Sequence, residues 1–101
     1  MPPVVQKPFR TMIVDDDQPR LGRHVRLSFD RTRQKPILLL PEAVVVLNDA
    51  GAQILARCDG HRTVAEIVTE LGARYRDVAG DEVRRFLSGL VARRCVELTH
   101  D

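Results

Sequence analysis

The 101 residues predict an α+β fold in which three antiparallel strands precede three helices. Three observations lead there. Residues 25 to 47 carry apolar side chains at strand period or in β-branched runs, residues 48 to 94 switch to helical period, and the halves meet at Leu47-Asn48 without a linker. Strands first and helices after means that the helices gather on one face of a small sheet.

The first strand is expected at "HVRLSFD", where Val25, Leu27 and Phe29 alternate with His24, Arg26, Ser28 and Asp30, the period of a sheet with one buried face. Arg31 to Lys35 is polar and of hairpin length, and Ile37 to Leu40 follows as the antiparallel partner. Pro41 has no amide donor and ends that ladder. Beyond the Pro41-Glu42-Ala43 turn, Val44 to Leu47 supply a third, β-branched strand. A meander puts the second strand in the middle and leaves the third as an open edge. That third strand does not alternate, so both its faces are apolar, and so short a chain has no layer to spare for the second face.

Asn48 is a favoured N-cap and turns strand into helix. The first helix presents Ala50, Ile54, Leu55 and Cys58 on one side and is expected to end at Asp59-Gly60, with glycine in the left-handed cap. Thr63-Val64-Ala65-Glu66 matches a capping box, so the second helix starts at Val64, with Ile67, Val68, Leu71 and Tyr75 continuing its stripe. In the third, Asp81 and Glu82 suit the positive end of the helix dipole and Arg93 and Arg94 the negative end. Val83, Phe86, Leu87, Leu90 and Val91 repeat at helical spacing between them, with Gly89 either admitting a close neighbour or merely tolerated. Cys95 to Leu98 can add a short terminal strand. The whole is winged helix-turn-helix-like, a three-stranded antiparallel sheet followed by a three-helix bundle.

Residues 1–22 hold four of the six prolines and the run Asp15-Asp16-Asp17 with no sustained period, and are expected to form a flexible N-terminal tail or linker ahead of a domain at 23–99. The triple aspartate reads as a solvated acidic run. Sixteen basic against fourteen acidic residues leave a net charge of +2, too balanced to select a nucleic acid or a membrane. No apolar run reaches the roughly 18 residues of a membrane helix, and the start lacks a signal-peptide h-region; a cytoplasmic protein is expected. Cys58 and Cys95, without a CxxC or a histidine pair, read as two buried thiols.

The chemistry of an enzyme is missing. His24, His61 and His100 have no triad partners. The glycines are scattered at helix ends instead of forming a phosphate loop. Glu66 and Glu70 share a helix face but have no apolar surroundings to raise a pKa, and read as solvated surface. No catalytic residue, cofactor site or metal site is expected.

The pieces Leu39-Leu40-Pro41-Glu42, Leu47-Asn48, Ile54-Leu55, Asp59-Gly60, Thr63-Val64-Ala65-Glu66-Ile67 and Arg74-Tyr75, in this order and spacing, resemble the pyrroloquinoline quinone biosynthesis protein D (PqqD) family over about residues 22 to 98. The resemblance implies a non-catalytic recognition domain for ribosomally made, post-translationally modified peptides. It would bind the precursor peptide PqqA and present it to PqqE, a radical S-adenosylmethionine enzyme that crosslinks a glutamate to a tyrosine. The proline-rich start lies outside the family's core and is similar to members fused behind a PqqC-like domain.

In such domains the peptide adds as an extra strand on the third strand, beside the third helix. The candidate peptide-binding residues are therefore Val44, Val45, Val46 and Leu47 with Arg84, Leu87 and Val91, although Leu87 and Val91 also fit as core alone. Val45→Pro is expected to abolish binding in a domain that stays folded. Two alternatives stand beside this reading. One is a DNA-binding winged helix that uses Arg84, Arg85, Ser88 and Arg93, with Arg31 to Lys35 as the wing; Asp81 and Glu82 at the approaching helix end and the balanced charge oppose it. The other is a structural homodimer paired through the open edge.

Overall fold

A computed structural model describes residues 13–72 and 80–99, and its first element falls where a tail is expected. β1 (Gln18–Leu21) is an ordered strand, preceded by a buried Ile13 and a fully buried Asp17. The Asp17 carboxylate accepts the Val14 amide at 3.0 Å, and its backbone carbonyl accepts the amide of Val64 at 2.9 Å. Asp15 is ion-paired with Arg84 at 2.7 Å. The tail at 1–22 and the fully solvated acidic run are thus corrected from Ile13 onward; residues 1–12 lie outside the described residues. Backbone pairing and one buried carboxylate order this segment, and neither leaves a hydrophobic period.

β2 (Arg26–Asp30), β3 (Lys35–Leu39) and β4 (Val44–Val46) form the expected meander in the order β2-β3-β4. Asp30 closes the first hairpin: its carboxylate accepts the amides of Thr32 and Arg33 and pairs with the Arg33 guanidinium. The Arg33 amide and side chain hold its pKa below the ordinary carboxylate value. Leu27, Leu38 and Val45 lie opposite one another in the ladder and face the core. Phe29, expected on the same buried face, is 53% exposed. Its period is right, but it pairs with Pro36 near the hairpin end, and period alone does not say how far the helices reach along a strand.

α1 (Asp49–Ala56) is capped by Asn48, whose side-chain oxygen accepts the Gly51 amide at 2.7 Å. It ends before Asp59-Gly60, with Arg57 as its C-cap. Gly60, at φ +82, serves a different turn and donates its amide to Pro19 of β1. α2 (Val64–Gly72) has the expected capping box: Glu66 accepts the Thr63 amide at 2.8 Å, and Thr63 Oγ1 accepts the Glu66 amide at 3.1 Å. The extension of its stripe to Tyr75 lies outside the described residues. Glu70 is tied between Arg57 and Arg62, both with Nε–carboxylate bonds, at 3.0 and 3.1 Å. Glu66 is thus held in the capping box that the sequence signals, whereas Glu70, read as solvated surface, has two arginine partners that helical periodicity does not reveal.

α3 (Gly80–Ala92) buries Val83, Leu87, Leu90 and Val91. It closes with two bonds: the Cys95 amide donates to the Leu90 carbonyl and the Arg94 amide to the Val91 carbonyl, the double bond of a Schellman cap. Arg94 occupies the left-handed position at φ 64. β5 (Val96–Thr99) then pairs antiparallel with β1 as a separate two-stranded sheet. The core lies between the helices and the inner face of β2-β3-β4, with Leu38, Leu55, Val64, Ile67, Leu71, Val83 and Leu87 nearly inaccessible. Cys58 and Cys95 are free and buried, as their spacing suggests.

Candidate functional site

Antiparallel ladders alternate bonded and non-bonded pairs, and that alternation decides what β4 offers. The Leu40 amide donates to Ala43 and the Leu47 amide to Pro36; in the same register Leu38 faces Val45. The bonded pairs are therefore Leu40/Ala43, Leu38/Val45 and Pro36/Leu47. The N–H and C=O of Val44 and Val46 point the other way, to the edge of the sheet that no strand among the described residues occupies. Their side chains are 49% and 48% exposed.

A groove of about 380 Å³ runs beside this edge. β4 and the residue after it contribute Val45, Val46 and Leu47; the start of α1 contributes Asn48, Ala50, Gly51 and Ile54; α3 contributes Glu82, Val83, Phe86 and Leu90. Leu47, Ile54, Val83 and Leu90 are core residues whose surfaces reach the groove floor. The lining is apolar apart from Asn48, which is used as a helix cap, and Glu82, which is exposed. An unpaired strand edge beside an apolar trough can hold an extended chain. Among the described residues of the lining, Glu82 is the one ionisable side chain, and neither a histidine nor a nucleophilic Ser, Thr or Cys accompanies it.

The surroundings are electrostatically settled. Arg84 bonds Asp15 through Nε and Nη2 and Asp81 through Nη1, and the hydrogen bonds to Asp15 raise its pKa above the ordinary guanidinium value. Asp59 accepts the amides of His61 and Arg62, which hold its carboxyl below the usual range. Burial pushes the Cys58 thiol up to about 12, so it is protonated at neutral pH.

Of the sequence-derived candidates, Val45, Val46 and Leu47 line the groove, and Val44 adds open backbone to the edge. The third helix contributes different residues from those expected. Leu87 is fully buried and Val91 nearly so, Arg84 is held by Asp15 and Asp81, and none of these three is among the lining residues. Glu82, Phe86 and Leu90 occupy the i, i+4, i+8 row of α3 next to the row of Val83, Leu87 and Val91, and periodicity does not say which row reaches the groove. The contribution of α1 was also missed. Its one signal was Gly51, a poor helix former just inside a capped helix.

Residues 35–96 match the family model described as "Coenzyme PQQ synthesis protein D (PqqD)". A PqqA binding protein of Rhodopseudomonas palustris (strain TIE-1) is 43% identical over 68 residues, 67% of this chain and 67% of the relative. Among relatives from that species the matched part runs from 62% to 84% of the relative's own length. The bifunctional coenzyme PQQ synthesis protein C/D of Methylorubrum extorquens is 37% identical over 90 residues, 86% of this chain but 24% of that protein. Among solved structures, the NMR structure of the PqqD truncation of Methylobacterium extorquens PqqCD, described as a functional and stand-alone RiPP recognition element, has a TM-score of 0.69 at 37% identity. That likeness covers 86% of this chain and 96% of the other.

Proposed function

The chain belongs to the PqqD family, and from that premise we propose that it is a non-catalytic peptide chaperone of PQQ biosynthesis that binds the precursor peptide PqqA by strand addition at β4. The observation that carries this reading is the open edge: Val44 and Val46 present backbone donors and acceptors away from β3, beside an apolar groove. Strand addition takes affinity from backbone bonds and selectivity from recesses that receive alternate side chains. Four backbone bonds at about 1 kcal/mol net each and a few apolar side chains at about 1.5–3 kcal/mol each are offset by about 2–5 kcal/mol for ordering the peptide. The balance is about 8 kcal/mol, a dissociation constant of order micromolar.

The names of the relatives support PqqA as the guest, and the recognition-element structure supports binding without catalysis. A chaperone needs a recipient, and we assign that role to the radical S-adenosylmethionine enzyme PqqE, in the cytoplasm, where free buried thiols such as Cys58 and Cys95 stay reduced. The Methylorubrum protein supports a PqqC-like domain as a fused or associated partner. DNA binding is disfavoured because Arg33 of the wing and Arg84 of α3 are already paired with carboxylates.

The register replaces Val45→Pro with a better test. The Val45 amide belongs to the β3–β4 ladder, so proline there removes a ladder bond and leaves the Leu38 carbonyl without it, which destabilises the sheet by about 1–3 kcal/mol. Val46→Pro removes an outward donor only. We expect Val46→Pro to fold with the parent's circular dichroism and to bind PqqA at least about tenfold more weakly, the loss of roughly one bond plus steric obstruction. Unchanged calorimetric affinity would sink the edge reading.

A further inference from the structure

Gly51 is the third residue of α1 and is buried, in a place where alanine would make a better helix. A methyl group on its α-carbon would lie 3.1 Å from Cζ and 3.3 Å from Cε1 of Phe86. Relaxed carbon–carbon contacts are about 3.5–4.0 Å. The Phe86 ring therefore rests on bare backbone of α1, and both residues line the groove. Any side chain at 51 moves the ring and changes the cross-section of the trough. Leu47, Ile54 and Leu90, all nearly buried, lie beside this contact in the same lining and offer dispersion in place of hydrogen bonds.

We infer that Gly51 is a specificity-determining position: its missing side chain seats Phe86 against α1, and the recess left between the ring, Leu47 and Ile54 receives one apolar side chain of the inserted strand. This rests on the reading of β4 and its groove as the peptide site. Gly51 is a positioning residue, because it acts through the ring of Phe86.

Isothermal titration of the full chain with synthetic PqqA of Rhodopseudomonas palustris (strain TIE-1) tests it, in the parent and in Val46→Pro, Gly51→Ala, Phe86→Leu and the double variant Gly51→Ala/Phe86→Leu. Gly51→Ala is expected to bind about tenfold more weakly, equivalent to 1.4 kcal/mol, with an unfolding temperature equal to or above the parent's. The double variant, whose smaller residue at 86 tolerates the methyl group, is expected to bind within about threefold of Phe86→Leu alone, the non-additivity shown by residues in contact. Parent-like affinity in Gly51→Ala overturns the inference, and so does a double variant that falls as far below Phe86→Leu as the single falls below the parent. A lowered unfolding temperature in Gly51→Ala also overturns it, because the added methyl would also stand 3.1 Å from the capping oxygen of Asn48; the cap would then be the cause. If Phe86→Leu does not bind, the affinity and unfolding temperature of Gly51→Ala decide alone. Undiminished binding by Val46→Pro, or no binding by the parent, removes the peptide-site reading itself and the inference with it.

Discussion

Cys58 is a side chain whose reactivity the fold suppresses. Burial raises its pKa from 9.0 to about 12, and its Sγ lies 3.3 Å from the Ile54 carbonyl as a donor. Iodoacetamide at pH 8 should label it only in denaturant, at least about tenfold faster there than in the native protein, since the thiolate is the nucleophile; mass spectrometry of the labelled peptide would check this. The pH dependence follows the same asymmetry. The folded form keeps this proton while the unfolded form begins to release it near the ordinary thiol value, so the group's stabilising contribution is complete below about pH 9 and is lost as pH rises toward 12. Other residues divide by the range of their partners. Thr63 and Glu66 are readable as a pair because a capping box closes within one turn. Asp17 is not readable, because the partner of its carbonyl is the Val64 amide, far along the chain.

In α3 the unexplained glycine can be settled. A Cβ on Gly89 would meet nothing within 4 Å among the described residues, so no close neighbour there requires glycine and the residue is only tolerated. Gly89→Ala should stabilise the domain by about 0.5–1 kcal/mol through helix propensity, read as a higher urea midpoint at unchanged slope. β4 shows the converse limit of sequence reading. Three consecutive valines say that both faces are apolar, but not which amides face inward. A shift of one residue in register would exchange the open donors for the paired ones, and with them the effects of proline at 45 and 46. Likewise the terminal Arg93-Arg94 suits the helix dipole in sequence, while the chain reverses through Arg94 in a conformation usually given to glycine.

Across the molecule, the unforeseen β1–β5 pair joins the two ends of the described chain. Removal of residues 1–21 should therefore do more than trim a tail. It deletes the burial of Ile13, about 1.5–3 kcal/mol, together with the β1 ladder and the Asp17 carbonyl that accepts the Val64 amide, a large share of the roughly 5–15 kcal/mol that holds such a domain. We expect early unfolding and loss of amide-exchange protection at Val96 to Thr99; protection equal to the parent's would contradict this. The meander, the start of each helix and the place of the third strand at the edge of its sheet could be read from local patterns, because strand period, caps and turn residues act over only a few positions. The second sheet, the orientation of the β4 amides, and the choice of Phe86 over Leu87 as a groove wall could not. Each depends on which distant surface packs against a residue, and that is settled only when every apolar face and every backbone amide competes for partners at once.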